Sequence, residues 1–112
     1  MVKVNILGVD YTIHTRDESE DPILKDNNGY CDFTTKEIVV KSFVPDVMSL
    51  KDLDMFSNKV IRHEIVHAFL YESGLHNNSV DCWAMNEEIV DWIALQMPKL
   101  HKAMDSAGVL SK

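Results

Sequence analysis

His63-Glu64-Ile65-Val66-His67 is the most informative segment of this chain, and it lies within a longer stretch of helical periodicity. On a helix, residues four positions apart share one face, so the two imidazoles should project side by side. Two histidine nitrogens at this separation can bind a single zinc ion. Glu64 directly follows the first histidine, where its carboxylate can reach a water on the metal without being a ligand. The segment therefore predicts two metal ligands and a general base on one helix.

The apolar residues around this segment predict helical structure from about residue 49 to about residue 74. They recur mostly at steps of three and four residues: Leu50, Leu53, Phe56, Val60, Ile61, Ile65, Phe69 and Leu70. Ser49 and Asp52 resemble a capping box with Asp in place of the usual Glu, and Gly74 is a candidate C-cap. The pattern fits either one long helix or two short helices.

The first third of the chain has the pattern of β-strands. Residues 2–6 alternate with period two, and residues 11–14 follow a turn, which predicts a first hairpin. Residues 26–29 are a strong turn signal, and the segments 30–33 and 36–41 beyond them predict a second hairpin. We therefore expect an α+β fold, with an N-terminal antiparallel β-sheet in residues 1–48 and mainly helices in residues 49–112.

Length and composition are typical of one small folded domain. The chain has 112 residues, and its hydrophobic fraction of 46% is that of a protein with a packed core. The net charge of −7 argues against nucleic acid or an anionic membrane as a partner. No apolar run approaches the length of a membrane span, and the run at residues 2–7 is too short for a signal peptide. These features predict a cytoplasmic protein in which Cys31 and Cys82 are reduced and buried.

A second helix is predicted from Ser79, as its cap, to about Met97. Pro98 either ends this helix or starts a terminal one. On a helical wheel, Glu87 and Asp91 fall in the middle of an apolar arc, whereas Glu88 falls at its edge. The apolar members of the arc are Trp83, Ala84, Val90, Ala94, Leu95 and Met97.

Two carboxylates that face a core are destabilising unless something compensates their charge. A zinc ion and a metal-bound histidine would compensate it. Glu87 is then the candidate third ligand, and Asp91 is the candidate acceptor for the outer N–H group of a zinc histidine. The alternative is an exposed helix whose carboxylates are solvated.

Together, residues 63–67 and 86–91 resemble the zinc-binding pattern of the gluzincins, the thermolysin-like zinc peptidases. The family pattern is H-E-x-x-H followed by N-E-x-x-x-D, and the 19 residues between His67 and Glu87 allow one helix to end and a second to return to the metal. The likeness covers about residues 29–97 and is strongest to the minigluzincins and to small peptidases of phages and prophages.

This resemblance implies a small zincin-like domain that binds Zn2+. It implies the following roles: His63, His67 and Glu87 as metal ligands, Glu64 as the general base, and Asp91 as the residue that orients a histidine. It also implies that the strand containing Ile38, Val39 and Val40 lies at the sheet edge over the cleft, where it would bind an extended peptide substrate.

The chain departs from the larger gluzincins in having no room for the C-terminal domain that stabilises the oxyanion. Tyr71, on the same side of its helix as Glu64, and His76, just past the helix, are candidates for that role or for substrate contacts. Tyr71 fits equally well as a half-buried core residue. The metzincin pattern would require its third histidine at Ser73, six residues after His67, so that pattern and a ligand role for His76 are not expected.

We therefore expect a zinc metalloendopeptidase that hydrolyses peptide bonds with a zinc-activated water, acting on a peptide or protein. Two other interpretations stay open. The protein could bind zinc and a peptide or protein partner without turnover, because no oxyanion-stabilising group is evident. Alternatively, the histidine and acidic residues are solvated groups on a non-catalytic scaffold.

Overall fold

The computed structural model of this protein describes residues 2–43 and 52–111. Its strands and helices are β1 (Val2–Ile6), β2 (Val9–Arg16), β3 (Gly29–Asp32), β4 (Glu37–Lys41), α1 (Leu53–Glu72), α2 (Leu75–Asn78) and α3 (Glu87–Ser106). Short 3-10 segments occupy Pro22–Lys25 and Val80–Met85. The strands precede the longer helices, so the expected α+β fold class is confirmed.

The four strands form one mixed sheet in the order β1-β2-β4-β3. Both predicted hairpins are present, because β1 is antiparallel to β2 and β3 is antiparallel to β4. The expectation of an antiparallel sheet is wrong where the hairpins meet, since β2 and β4 run parallel with Ile13 opposite Ile38. The chain between β2 and β4 is long enough to turn back and add β3 on the outside of β4.

The expected edge strand is therefore wrong. Ile38, Val39 and Val40 lie in β4, which pairs with a strand on each side, and all three residues are fully buried. An interior strand has no free row of N–H and C=O groups with which to bind an extended peptide. The edge strand on this side of the sheet is β3.

Helix α1 packs against one face of the sheet and brings the H-E-x-x-H segment next to β3. The core that joins the helix to the sheet includes Ile6, Tyr11, Ile38 and Ala68. At Gly29, the first residue of β3, a Cβ atom would lie 2.8 Å from both the Val39 carbonyl oxygen and Val60 Cγ1. Glycine thus allows the edge strand to approach α1 closely at the point where the cleft begins.

Residues 53–72 form one helix, not two. Asp52 caps it, since its Oδ1 atom accepts a hydrogen bond of 2.9 Å from the Met55 N–H group. The predicted capping box placed Ser49 as the cap and Asp52 inside the helix, whereas Asp52 is the cap itself. Ser49 lies outside the described residues. Gly74, at φ 87°, directly follows the C-terminal cap residue Ser73 and confirms the predicted end of the helix.

The second long helix begins later and ends later than its sequence predicts. Asp81 and Cys82 have left-handed backbone conformations, with φ values of 53° and 56°, so no regular helix runs from Ser79 through this segment. Asn86 caps α3 through a 3.0 Å hydrogen bond that its Oδ1 atom accepts from the Ile89 N–H group. The wheel therefore applies only from residue 87 onward, and Trp83 and Ala84 do not belong to its arc.

Pro98 neither ends α3 nor begins another helix, because α3 continues through it to Ser106. Proline has no N–H group, so the carbonyl oxygen of Ala94 lacks its usual helical donor. Arg62 of α1 replaces that donor: its Nε atom lies 2.7 Å from the Ala94 oxygen. This bond ties the two long helices together next to His63.

Both cysteines are free thiols, as expected, but only Cys31 is half-buried, and Cys82 is exposed. The expectation that both are buried is wrong for Cys82, because it lies in the irregular segment before α3. Among the described residues, no helix has both the length and the apolar character needed to cross a membrane.

Candidate metal centre

Three side chains from α1 and α3 converge on one point in a cleft. His63 Nε2 lies 2.9 Å from Glu87 Oε2, and His67 Nε2 lies 2.9 Å from Glu87 Oε1. The two histidine Nε2 atoms are 3.1 Å apart. The i, i+4 spacing on α1 brings the two rings together, and the Asn86 cap starts α3 where Glu87 faces them. These three residues could hold a metal ion.

The distances fit a small tetrahedral ion. Donors bound to one zinc ion at ~2.1 Å lie ~3.4 Å apart, so the two histidine nitrogens, now 3.1 Å apart, need to separate only slightly. Two imidazole nitrogens and one carboxylate are a common ligand set of catalytic zinc sites, which keep a fourth position open. Burial lowers the pKa of His67 from its ordinary value and so favours the neutral imidazole that a metal requires.

Glu87 and Asp91 face this open cleft and not the core. The side chain of Glu87 is 71% exposed and that of Asp91 is 42% exposed. The sequence-based expectation that these two carboxylates point into the core is therefore wrong. The fully buried residues of the same helix are Val90 and Ala94.

Asp91 contacts the outer nitrogen of a predicted ligand, as expected. Its Oδ1 atom lies 3.0 Å from His63 Nδ1, which leaves Nε2 of His63 directed at Glu87 and His67. The same oxygen accepts a 2.7 Å hydrogen bond from Lys59 Nζ. The bond from Lys59, together with that from His63, holds the pKa of the Asp91 carboxyl below its ordinary value.

Glu64 lies next to the three ligand candidates and is not one of them. Glu64 is only 7% exposed, and burial raises the pKa of its carboxyl to about 7. The nearby His63 opposes this rise, and Glu87 adds to it. A carboxyl group with a pKa near neutrality can both accept and release a proton in this pH range.

The cleft consists of two adjoining cavities that share Glu64 and Glu87 on one side and Gly29 and Asn27 on the other. One cavity extends toward Lys59 and Asp91. The other extends toward Cys31, Phe33 and His76. The edge strand β3 and the turn before it therefore form the wall opposite α1 and α3.

The two candidates for substrate contact differ in position. His76 lines the cleft beside His67, and its ring packs edge-on against Phe33 at a centroid distance of 5.1 Å. Tyr71 stacks flat against the same Phe33 at 4.1 Å, and Lys36 covers its ring. Nδ1 of His76 is buried without a hydrogen-bond partner among the described residues.

The structure thus brings together six of the predicted site residues: His63, Glu64, His67, His76, Glu87 and Asp91. It separates Ile38, Val39 and Val40 from the cleft. Lys59 is a site residue that the sequence reasoning missed, although it lies four positions before His63 and so on the same helical face. Comparison of the chain with protein-family models, curated proteins and solved structures gives no match.

Proposed function

We propose that this protein is a zinc metallopeptidase of the gluzincin type, in which His63, His67 and Glu87 hold one zinc ion. The observation that supports this proposal best is the convergence of the two histidine rings on one carboxylate. The Nε2 atoms of His63 and His67 lie 3.1 Å apart, and each lies 2.9 Å from a different oxygen of Glu87. Bound zinc would lower the pKa of a water toward ~7 and polarise the carbonyl of a peptide bond.

Glu64 is the general base of the proposed reaction. Its carboxylate takes a proton from the attacking water and passes it to the amine of the leaving peptide. Asp91 keeps His63 in the tautomer with Nδ1 protonated, because the 3.0 Å contact makes Nδ1 the donor.

The substrate would lie in the cleft along β3. This strand is at the sheet edge, so its outward N–H and C=O groups can pair with an extended peptide. The role that the sequence assigned to Ile38, Val39 and Val40 thus passes to the strand beside them. His76 is the candidate donor to the carbonyl oxygen of the substrate, since it lines the cleft beside His67.

The rival function is a zinc protein that binds a peptide or protein partner without turnover. The decisive experiment combines metal analysis of the purified protein with cleavage of a peptide library. We expect one zinc per chain and cleavage that a chelator abolishes. If protein purified without a chelator contains no zinc, the proposal is contradicted. If zinc-loaded protein binds peptides but never cleaves them, the rival function is favoured.

Glu64→Gln is the matched control for chemistry, because the glutamine keeps the shape and loses the base. We expect this variant to retain its zinc and lose hydrolysis. Loss of zinc would instead identify Glu64 as a ligand, and unchanged turnover would remove its catalytic role.

A further inference from the structure

Lys59 lies one helical turn before His63 on α1 and lines the cleft. Its Nζ atom is 2.7 Å from Asp91 Oδ1, and that oxygen also lies 3.0 Å from His63 Nδ1. One carboxylate oxygen therefore accepts hydrogen bonds from an ammonium group and from a predicted metal ligand together. The Lys59 side chain is 25% exposed, so solvent screens its charge only in part.

This shared oxygen has a consequence for metal binding. A histidine that donates its outer N–H to a carboxylate becomes a stronger electron donor to the metal. An ammonium group on the same oxygen neutralises part of the negative charge that produces this effect. The ammonium group also repels a cation bound nearby. Both effects act in the same direction and weaken the affinity of the site for a divalent ion.

We propose that Lys59 is a positioning residue that lowers the affinity of this site for zinc by sharing the Asp91 carboxylate with His63. The inference rests on the zinc site of the proposed function but not on peptide hydrolysis. If Lys59 only anchored Asp91, its removal would loosen His63 and weaken zinc binding. The two roles therefore predict changes of opposite sign.

The test is the zinc dissociation constant of the full chain, measured by competition with a chromophoric chelator. We expect Lys59→Met to bind zinc about three- to tenfold more tightly than the unaltered protein. Lys59→Arg keeps the positive charge and a hydrogen-bond donor, so it should change the affinity less than Lys59→Met does. Lys102→Met removes an exposed lysine near the end of α3 and should have little effect.

A double variant tests whether the effect passes through Asp91. In an Asp91→Asn background, the change caused by Lys59→Met should fall below half of its value in the unaltered protein, because the shared carboxylate is gone. Weaker or unchanged zinc binding in Lys59→Met would overturn the proposal, as would an equal effect in both backgrounds. Protein that binds zinc but cleaves no peptide would contradict the proposed function while leaving these comparisons valid.

Discussion

His67 Nε2 lies 2.9 Å from Glu87 Oε1, and this contact joins the two long helices across the cleft. Glu88, the next residue, is exposed and lies about 100° away on the helix, so it cannot reach the same point. We predict that Glu87→Gln loses most of the zinc affinity, because it removes a charged ligand. Glu88→Gln should retain it and is the matched control. Zinc titration of the two variants measures the difference, and the reverse ranking would contradict the ligand set.

The bond between His63 Nδ1 and Asp91 predicts that removing the charge of Asp91 lowers the zinc affinity only in part. We expect Asp91→Asn to weaken zinc binding by ~10–100-fold without abolishing it, because the amide oxygen still accepts the hydrogen bond but has no charge. Competition with a chelator would measure the change. Unchanged affinity would mean that the 3.0 Å contact does not act on the metal site.

The buried carboxyl of Glu64 predicts a dependence of stability on pH in the metal-free protein. Its pKa rises from 4.5 to about 7 on folding, so the folded state binds the extra proton between these values. The free energy of unfolding should therefore fall as the pH rises through about 7. Glu64→Gln has no carboxyl group to ionise, so it does not lose this stability as the pH rises. It should be more stable than the unaltered protein at pH 8 by roughly 1–3 kcal/mol.

Denaturant unfolding at several pH values would measure this difference. The lowered pKa of His67 acts in the opposite direction, since it favours the folded state as the pH rises. The difference between the unaltered protein and Glu64→Gln isolates the carboxyl group because both contain His67. Equal stability of the two proteins at pH 8 would contradict the prediction that the ionised, buried carboxylate of Glu64 destabilises the folded state.

The sequence predicts α1 and the relative positions of His63, Glu64 and His67 well, because helical spacing alone sets them. It fails where the position of a residue depends on distant parts of the chain. The apolar run at Ile38, Val39 and Val40 fits an edge strand or an interior strand, and only the parallel pairing with β2 decides between them. Position along the sequence does not contain that information.

The sequence does not predict the start of α3 for a local reason, and it does not predict its end because of a contact with another helix. Asp81 and Cys82 take positive φ values although neither is glycine, and their side chains give no clear signal of this. Pro98 predicts a helix boundary, but Arg62 supplies the missing donor from another helix. The contact between Arg62 and Ala94 thus allows α3 to continue through a residue that usually ends a helix.

That contact gives a prediction about stability. Arg62→Met keeps much of the side-chain length but leaves the Ala94 carbonyl without its donor, which should cost about 1–2 kcal/mol of unfolding free energy. In a Pro98→Ala background the new N–H group can bond to Ala94, so the same change should cost less. Denaturant unfolding of the four proteins measures this coupling. Equal costs in both backgrounds would mean that Arg62 does not compensate for the proline.

The last prediction separates the two aromatic side chains that contact Phe33. His76 lines the cleft beside His67, whereas Tyr71 packs behind Phe33 and beneath Lys36. We therefore expect His76→Phe to lower kcat/KM by about 10- to 100-fold while zinc content is unchanged, because phenylalanine keeps the ring packing and removes the donor. Tyr71→Phe should stay within about threefold of the unaltered protein, since its hydroxyl has no role in the proposed reaction.

Kinetic constants and zinc content of the same preparations would test this prediction. A loss of zinc in His76→Phe would make His76 a metal ligand, against its absence from the group of donor atoms within 4.8 Å of one another. Full activity in His76→Phe together with a loss in Tyr71→Phe would transfer the role to the tyrosine. That result would require the Phe33 and Tyr71 rings, now parallel within 8°, to separate when a substrate binds.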